Sequence, residues 1–223
     1  MSSLLCLQGG AEFQPGCEAI DGALLRQLGA APRVAVTALA GSPGADYARA
    51  TANGVRWWAD LGADAVAVPD ARQEESGALD VLASADLVVL PGGSPARLRA
   101  ALMDTGVGAL LVARWEAGEC AVAGASAGAM LLCSHTVLPD RRGKPVVSGL
   151  GLLRDALVLP HWSGHSDWVV AVLRQAPEGT RLLGLPERSG IIVDGDRWSA
   201  WGQQPSELVP GDLLALGEIR QMS

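Results

Sequence analysis

The chain has 223 residues, of which 49% are hydrophobic, enough for a single α/β domain over residues 1–223 with a full core. Its formal net charge of −7 at pH 7 offers no basic surface for a phosphate backbone, so nucleic acid is not an expected partner. The first residues contain no basic leader followed by an apolar run, and no apolar stretch reaches the ~20 residues of a bilayer span. We therefore expect a cytoplasmic protein with no membrane partner.

From the N terminus to residue 125, apolar runs of strand length alternate with amphipathic segments. The predicted strands read SSLLCLQ, RVAVTAL, DAVAVP, DLVVLP and ECAVAG. The predicted helices between them read CEAIDGALLRQL, DYARATANGVRWWADL and EESGALDVLASA, with further helical turns through Trp115. This alternation predicts an α/β fold with an open, mostly parallel sheet and helices on both faces.

The pattern changes after His135. The segment HTVLPDRRGKPVVSG has the composition of a loop, DALVLPHW reads as a strand with its exit, and SDWVVAVLRQA reads as a helix. The segment RLLGLPERSGIIVDGDRWSAWG then predicts a strand, a loop and a β-hairpin that turns at residues 194–196. We expect this C-terminal hairpin to add antiparallel strands to the edge of the sheet.

The four cysteines form no CxxC pair, and two of them, Cys6 and Cys120, fall inside predicted strands. Buried free thiols are therefore expected for Cys6, Cys17, Cys120 and Cys133, rather than disulfides or a zinc site.

GASAG, centred on Ser126, fits G-x-S-x-G and lies between a predicted strand and a predicted helix. A nucleophile on such a sharp turn needs tiny neighbours, and every residue from Ala123 to Ala129 other than Ser126 is alanine or glycine. The same composition also suits a helix that packs closely on a strand, with Ser126 serving only as an N-cap. The motif alone favours neither interpretation.

A serine hydroxyl needs a neighbouring base, which is usually histidine, and the chain has three histidines. His161 directly follows a predicted strand, where active sites of parallel sheets collect, and is the favoured base. We expect His135 to lie about two turns down the helix from Ser126, as a surface or helix-end residue, and His165 to be a cap or rim residue.

Two carboxylates compete to orient the histidine. Glu187 lies just past another predicted strand end, and Asp140 lies in the loop between the serine and the histidine. The oxyanion needs backbone N–H donors, and the candidates are Ala127, after the serine, and the Gly92–Gly93 pair of LPGGSP.

Two rival sites fit the sequence less well. An α/β-hydrolase usually places its histidine near the C terminus, but no histidine follows His165. His161 and His165 have the spacing of paired helical metal ligands and Asp167 is close, but Pro160 and Gly164 disrupt that helix and no further ligand cluster follows. We expect no metal.

With these motifs in order, the chain resembles the dipeptidase E and cyanophycinase family of serine peptidases, which carry a class I glutamine amidotransferase-like sheet. The resemblance runs nearly end to end. LQGGAEF resembles the family's glycine-rich first turn, PGGS its GGN loop, GASAGA its nucleophile elbow, LVLPHW its histidine segment and GLPERSGIIVDG the stretch that supplies a glutamate. The resemblance implies that Ser126 is the nucleophile, His161 the base and Glu187 the orienting acid, and it keeps Asp140 as a second candidate acid.

The activity that the resemblance implies is hydrolysis of short peptides, often with an N-terminal aspartate, through an acyl-enzyme and without a metal or cofactor. Two departures from the family pattern bear on the substrate: Ser94 replaces the usual Asn of the GGN loop, and the segment after His161 lacks the basic residues of a typical cyanophycinase. Cleavage of the β-aspartyl-arginine polymer and a non-catalytic binding role on the same fold remain alternatives.

The expected partner is a small peptide, and a homodimer is a further expectation. Candidates to pair with a substrate carboxylate are Arg97, Arg99, Arg141, Arg142 and Lys144. The large rings of Trp57, Trp58, Trp162 and Trp168 suit either a dimer surface or the core.

Overall fold

The structure is a computed structural model that describes residues 4–139, 142–143, 145–164, 168–209 and 211–222. Five residues named above as candidates lie outside the described residues: Asp140, Arg141, Lys144, His165 and Asp167. Within the described ranges, no helix is both long and apolar enough to span a bilayer.

Strands and helices alternate through the N-terminal part, as the apolar periodicity predicts. The elements are β1 (Leu4–Gln8), α1 (Glu18–Leu28), β2 (Arg33–Val36), α2 (Ala45–Asp60), β3 (Asp64–Ala67), α3 (Glu75–Ala83), β4 (Leu87–Leu90), α4 (Pro95–Asp104), α5 (Val107–Glu116), β5 (Ala121–Ala125) and α6 (Ala127–Leu132).

The C-terminal part is mostly strand. Its elements are β6 (His135–Val137), β7 (Val146–Ser148), β8 (Ala156–Pro160), α7 (Trp168–Leu173), β9 (Arg181–Leu185), β10 (Ser189–Asp194), β11 (Arg197–Gly202), β12 (Ser206–Val209), β13 (Asp212–Leu214) and β14 (Ile219–Gln221).

The main sheet has eight strands in the order β14-β11-β10-β1-β5-β4-β2-β3. Strands β1 to β5 pair in parallel, whereas β10 pairs antiparallel with both β1 and β11, and β11 pairs antiparallel with β14. The predicted parallel sheet and the antiparallel C-terminal hairpin are confirmed. Because β1 and β5 are neighbours, their carboxyl ends bring the glycine-rich first turn next to Ser126.

Alternate side chains of each central strand enter opposite cores, because successive Cβ atoms point to opposite faces of a sheet. Leu5 and Leu7 of β1 join the core that contains α6, whereas Leu4 and Cys6 join the core formed with α1 and α2. Both faces are therefore covered by helices, as the uninterrupted apolar strands predict.

Three features depart from the sequence-based expectations. The strands that precede His161 and Glu187, β8 and β9, pair in a separate four-stranded sheet, β13-β12-β9-β8. The segment expected to be a loop contains a two-stranded sheet, β6-β7. The helix after Ser126 ends at Leu132, so the expected helical position of His135 is wrong: it begins β6 and is partly exposed.

Candidate active site

Ser126 lies on the turn between β5 and α6 with φ +48° and ψ −109°, a backbone conformation that residues other than glycine rarely adopt. Its N–H donates to Gln8 O at 3.0 Å, which ties the turn to the end of β1. Its side chain makes no capping hydrogen bond to α6. Ser126 therefore occupies the N-cap position of α6, but its hydroxyl does not cap the helix.

The small residues around Ser126 let α6 lie directly on the sheet. A Cβ on Gly128 would overlap Leu90 O of β4, and a Cβ on Gly124 would lie 2.6 Å from Ala129 N. Because these residues have small side chains or none, the backbones of α6 and the strands can come into contact, and the turn at Ser126 can be sharp.

The structure brings three sequence-predicted residues into one hydrogen-bonded chain. Ser126 Oγ lies 3.0 Å from His161 Nε2, and His161 Nδ1 lies 3.2 Å from Glu187 Oε1. An imidazole that carries its proton on Nδ1 satisfies both contacts, with the serine hydroxyl donating to Nε2. The side chains of His161 and Glu187 are 49% and 51% exposed, so this site is open to a substrate.

The position of His161 is set by contacts on both sides of the residue. Its φ is +53°, and its N–H donates to Gly9 O at 2.9 Å, beyond the end of β1. The next residue, Trp162, is buried, and its ring lies 2.6 Å from the point that a Cβ on Gly184 would occupy. The indole N–H of Trp162 donates to Glu207 Oε2 at 2.6 Å. Contacts of Trp162 with the second sheet therefore fix the backbone next to His161, whose imidazole contacts Ser126 at the end of β5.

The glycine-rich first turn packs against the histidine and glutamate segments. A Cβ on Gly9 would overlap the carbonyl oxygens of Leu185 and Pro186, and Gly10, with φ +140°, lies against the imidazole of His161. The N–H of Arg188 donates to Gly10 O at 3.0 Å. This turn needs glycine because two other segments contact its backbone.

The PGGS loop lies beside the serine, as expected. A Cβ on Gly92 would be 3.2 Å from Ser126 Cβ. Within the described part of the chain, Gly93 N–H has no hydrogen-bond acceptor. Ala127 is the first residue of α6, where a backbone N–H has no partner inside the helix. Both N–H groups are thus able to donate hydrogen bonds to an oxyanion.

Ser94, the departure from the family's Asn, is the N-cap of α4. Its side chain accepts a hydrogen bond from Arg97 N–H at 3.2 Å, and its own N–H donates to Ala40 O at 3.1 Å. Serine and asparagine are comparable N-caps, so this contact does not explain the difference from the family pattern.

Glu12 is a residue that sequence reasoning missed. Its Oε1 accepts a hydrogen bond from Gly92 N–H at 2.6 Å, which joins the turn after β1 to the turn after β4 beside Ser126. The available signal was a carboxylate inside the glycine-rich segment LQGGAEF, at the end of a strand next to the serine's strand.

A cavity of about 650 Å³ opens between the turn after β1 and α2, next to Gly92. Its lining residues are Ala11, Glu12, Phe13, Gln14, Ala50, Asn53, Arg56, Trp57, Asp60, Pro91 and Gly92. The cavity is adjacent to the serine site because Gly92 contributes to both.

The cation that lines this cavity is Arg56, which was not among the sequence-predicted candidates. Two of those candidates are hydrogen-bonded elsewhere: Arg97 Nη1 donates to Ala40 O at 2.7 Å, and Arg99 Nε donates to Ser148 O at 3.0 Å. Arg142 is exposed and is not a lining residue of the cavity.

Behind the cavity wall, Asp21 is buried and accepts two side-chain hydrogen bonds. Gln8 Nε2 donates at 2.5 Å and the indole Nε1 of Trp57 donates at 2.7 Å. Burial raises the pKa of Asp21 to about 7, against the opposing effect of these two bonds.

The cysteines and tryptophans are mostly core residues. Cys6, Cys17, Cys120 and Cys133 are all buried and free, as expected, and burial raises the pKa of each thiol. Among the described residues, no cluster of His, Cys, Asp and Glu could hold a metal ion. Trp58 and Trp162 are buried and Trp57 is half-buried, so packing accounts for these rings; the Trp168 side chain lies outside the description.

Comparison with solved structures supports the fold. The chain superposes over its full length on 98% of a peptidase from an acI-B1 actinobacterium, with a TM-score of 0.83 and 23% identity. It also superposes, over 92% of its length, on the whole of a candidate peptidase E protein from Listeria monocytogenes EGD-e, with a TM-score of 0.66 and 16% identity.

Sequence comparison identifies two curated relatives, each named cyanophycinase, from Trichormus variabilis and from a Nostoc species. Each is 28% identical over 156 residues, which is 65% of this chain and 52% of the relative. The chain thus spans about half the length of the curated relatives it matches.

The model of peptidase family S51 matches residues 4–200, a range that contains Ser126, His161 and Glu187. On that match, the chain belongs to peptidase family S51.

Proposed function

We propose that this protein is a serine exopeptidase that hydrolyses short peptides through an acyl-enzyme on Ser126. The observation that carries the proposal is the hydrogen-bonded chain from Ser126 Oγ through the imidazole of His161 to Glu187 Oε1, with distances of 3.0 and 3.2 Å. Such a chain turns a weakly nucleophilic hydroxyl into an attacking group, because the base is already in contact and its tautomer is held.

The reaction follows from these contacts. As Ser126 Oγ attacks the scissile carbonyl, His161 Nε2 takes its proton, and Glu187 stabilises the imidazolium. When the tetrahedral intermediate collapses, His161 gives the proton to the leaving amine. Water then attacks the ester with His161 again as the base, which releases the acid and restores Ser126.

Two backbone N–H groups are available for the negative charge on the oxygen. We assign Gly93 N–H and Ala127 N–H to this role, since they lie in the two turns that meet at Ser126. Gly92 N–H, the third candidate, already donates to Glu12. Gly92 instead permits the close approach to Ser126, because it has no side chain.

The cavity beside the site supports a short substrate. Its volume of about 650 Å³ falls within the range of small-molecule sites. It contains a guanidinium, Arg56, and a carboxylate, Glu12, which suit the opposite charges of a small peptide. Arg56 could pair with an aspartyl side chain, so aspartyl dipeptides are the first substrates to test.

A second candidate is hydrolysis of β-aspartyl peptides, which is favoured by the similarity to two proteins named cyanophycinase. It is placed second because the segment directly after His161, WSGHSDWVV, contains no lysine or arginine.

The deciding experiment is hydrolysis of a mixed library of dipeptides, tripeptides and β-aspartyl dipeptides, followed by mass spectrometry. We expect the wild type to cleave a subset, and Ser126→Ala and His161→Ala each to abolish cleavage. The products identify the end that is attacked. As an independent measure, a fluorophosphonate should label Ser126 in the wild type and label His161→Ala much more slowly.

A matched control is Ser134→Ala, which changes a serine that follows the same helix and accepts a hydrogen bond from Ala156 N–H. This variant should retain activity. Absence of both cleavage and labelling in the folded wild type would contradict the peptidase proposal and favour a binding role on this fold.

A further inference from the structure

Glu12 places a carboxylate where the proposed reaction develops negative charge. A Cβ on Gly92 would be 2.9 Å from Glu12 Oε1 and 3.2 Å from Ser126 Cβ, so the two side chains approach the same point. Oε1 accepts the Gly92 N–H, and Oε2 has no hydrogen-bond partner within the described part of the chain. One carboxylate oxygen is thus anchored while the other remains able to bind a donor.

By itself this carboxylate opposes the proposed reaction. The tetrahedral intermediate carries a negative oxygen beside Ser126, and a like charge a few ångströms away raises its free energy. A cation held between the two would remove the repulsion and would add a charge-assisted hydrogen bond. Among the described residues that line the adjacent cavity, Arg56 is the cation, and it donates to Asn53 Oδ1 on its own helix. The substrate can therefore supply the missing positive charge.

We propose that Glu12 binds the α-ammonium group of the residue whose carbonyl is attacked by Ser126, so that cleavage depends on a free amino terminus at that residue. The inference rests on the proposed peptidase function. It assigns Glu12 as a specificity-determining residue and predicts release of single residues from the amino end. Peptides with a blocked amino terminus are poor substrates because Glu12 then remains an uncompensated negative charge beside the oxyanion.

An α-ammonium fits this position better than a basic side chain does. The α-nitrogen is two bonds from the scissile carbonyl carbon, which is the short reach that separates Ser126 from Glu12 across Gly92. The cation of a lysine side chain is several bonds farther from the carbonyl. It would extend past Glu12 rather than pair with it.

The test compares the peptide that the wild type cleaves best with its N-acetyl derivative, in wild type, Glu12→Gln and Glu12→Ala. We expect the wild type to prefer the free amine by at least about 100-fold in kcat/KM, since a charged pair at a partly buried carboxylate is being made or lost. Glu12→Gln retains an oxygen for Gly92 N–H and removes the charge. It should lower kcat/KM for the free amine by at least about tenfold and leave the acetylated peptide unchanged or faster.

The matched control is Glu18→Gln, because Glu18 Oε2 also accepts a glycine N–H, from Gly16, at 2.6 Å. This variant should retain the full preference for the free amine. An N-acetyl peptide with lysine at the cleaved position tests the side-chain alternative, and we expect it to be as poor as other blocked peptides. Fluorophosphonate labelling of Ser126, which needs no ammonium, should be as fast or faster in Glu12→Gln.

Binding measurements keep the proposal testable if a variant is unstable. In catalytically silenced Ser126→Ala, calorimetry should show that the free peptide binds at least about tenfold more tightly than the acetylated one, and that the difference disappears with Glu12→Gln added. If Glu12→Gln lowered kcat/KM equally for the free and the acetylated peptide, Glu12 would have only a role in positioning the loop, and the inference would be overturned. A preference that survives Glu12→Gln, or efficient cleavage of acetyl-lysyl peptides, would also overturn it while leaving the peptidase proposal intact. Absence of labelling and cleavage in the wild type would overturn both.

Discussion

Gly10 lies directly against the imidazole of His161. A Cβ on Gly10 would be 2.7 Å from His161 Nδ1, the nitrogen that contacts Glu187. The φ of Gly10, +140°, is also one that residues with a side chain rarely adopt. A turn 151 residues before the histidine in the chain thus limits where its ring can lie.

Gly10→Ala should lower kcat by at least about 100-fold, because the new methyl group displaces the imidazole from Ser126 and Glu187. Backbone strain should also cost about 1–3 kcal/mol in the free energy of unfolding. The control is Gly29→Ala, since Gly29 has φ +98° with nothing within 4 Å of its Cβ position. Steady-state kinetics and urea unfolding should show strain in both variants and loss of kcat only in Gly10→Ala. Comparable losses of kcat in Gly10→Ala and Gly29→Ala would contradict the role assigned to the contact between Gly10 and the imidazole of His161.

Glu187→Gln should lower kcat by at least about 100-fold with little change in KM, since the amide cannot stabilise the imidazolium and can favour the wrong tautomer. Kinetics on the same peptide with Asp140→Asn provide the comparison, because Asp140 is the competing acid by sequence. A larger loss of kcat in Asp140→Asn than in Glu187→Gln would assign the orienting role to Asp140.

Trp162→Phe should destabilise the fold by about 1–3 kcal/mol, because it leaves the Glu207 carboxylate without the indole donor 2.6 Å away. Since Trp162 follows His161, we also expect a fall in kcat of several-fold. Urea unfolding and kinetics check both effects. The matched control is Trp201→Phe, because the indole of Trp201 donates to a neutral hydroxyl, Ser199 Oγ, at 2.9 Å. This variant should lower the free energy of unfolding by less than Trp162→Phe does, and it should leave kcat unchanged.

The stability of the protein should fall as Asp21 ionises. Its pKa is about 7 in the folded protein against the usual 3.8, so between these values the folded state binds more protons than the unfolded state. The contribution of Asp21 to the free energy of unfolding is therefore most favourable below about pH 4. It decreases as the pH rises to about 7 and is constant above that pH.

Asp21→Asn cannot ionise and isolates this effect. Between pH 4 and pH 8, the free energy of unfolding of the wild type should fall relative to that of Asp21→Asn by up to about 4 kcal/mol. Urea unfolding at several pH values measures the difference. Parallel pH profiles for the two proteins would show that Asp21 is ionised in the folded state throughout, in contradiction to the effect of burial.

Much of the architecture was predictable from local pattern. Continuous apolar strands alternating with amphipathic helices indicate a parallel sheet with two covered faces, because burial on both sides removes the polar alternation. Ser126 became a candidate through its tiny neighbours, and His161 and Glu187 through their places after predicted strands. The preference for Glu187 over Asp140 came from the resemblance to the family. These signals are local, since each depends on a few consecutive residues.

The separate β8-β9 sheet, the contact between Gly10 and His161, and the position of Glu12 were decided only by tertiary structure. Strand periodicity specifies which face of a strand is buried but not which strand it pairs with, so the sequence did not distinguish one sheet from two. Glu12 and Gly92 are 80 residues apart in the chain, and they meet because β1 and β4 both flank β5. An acid in a glycine-rich turn looks like a solvated loop residue until the order of the strands places it beside a nucleophile.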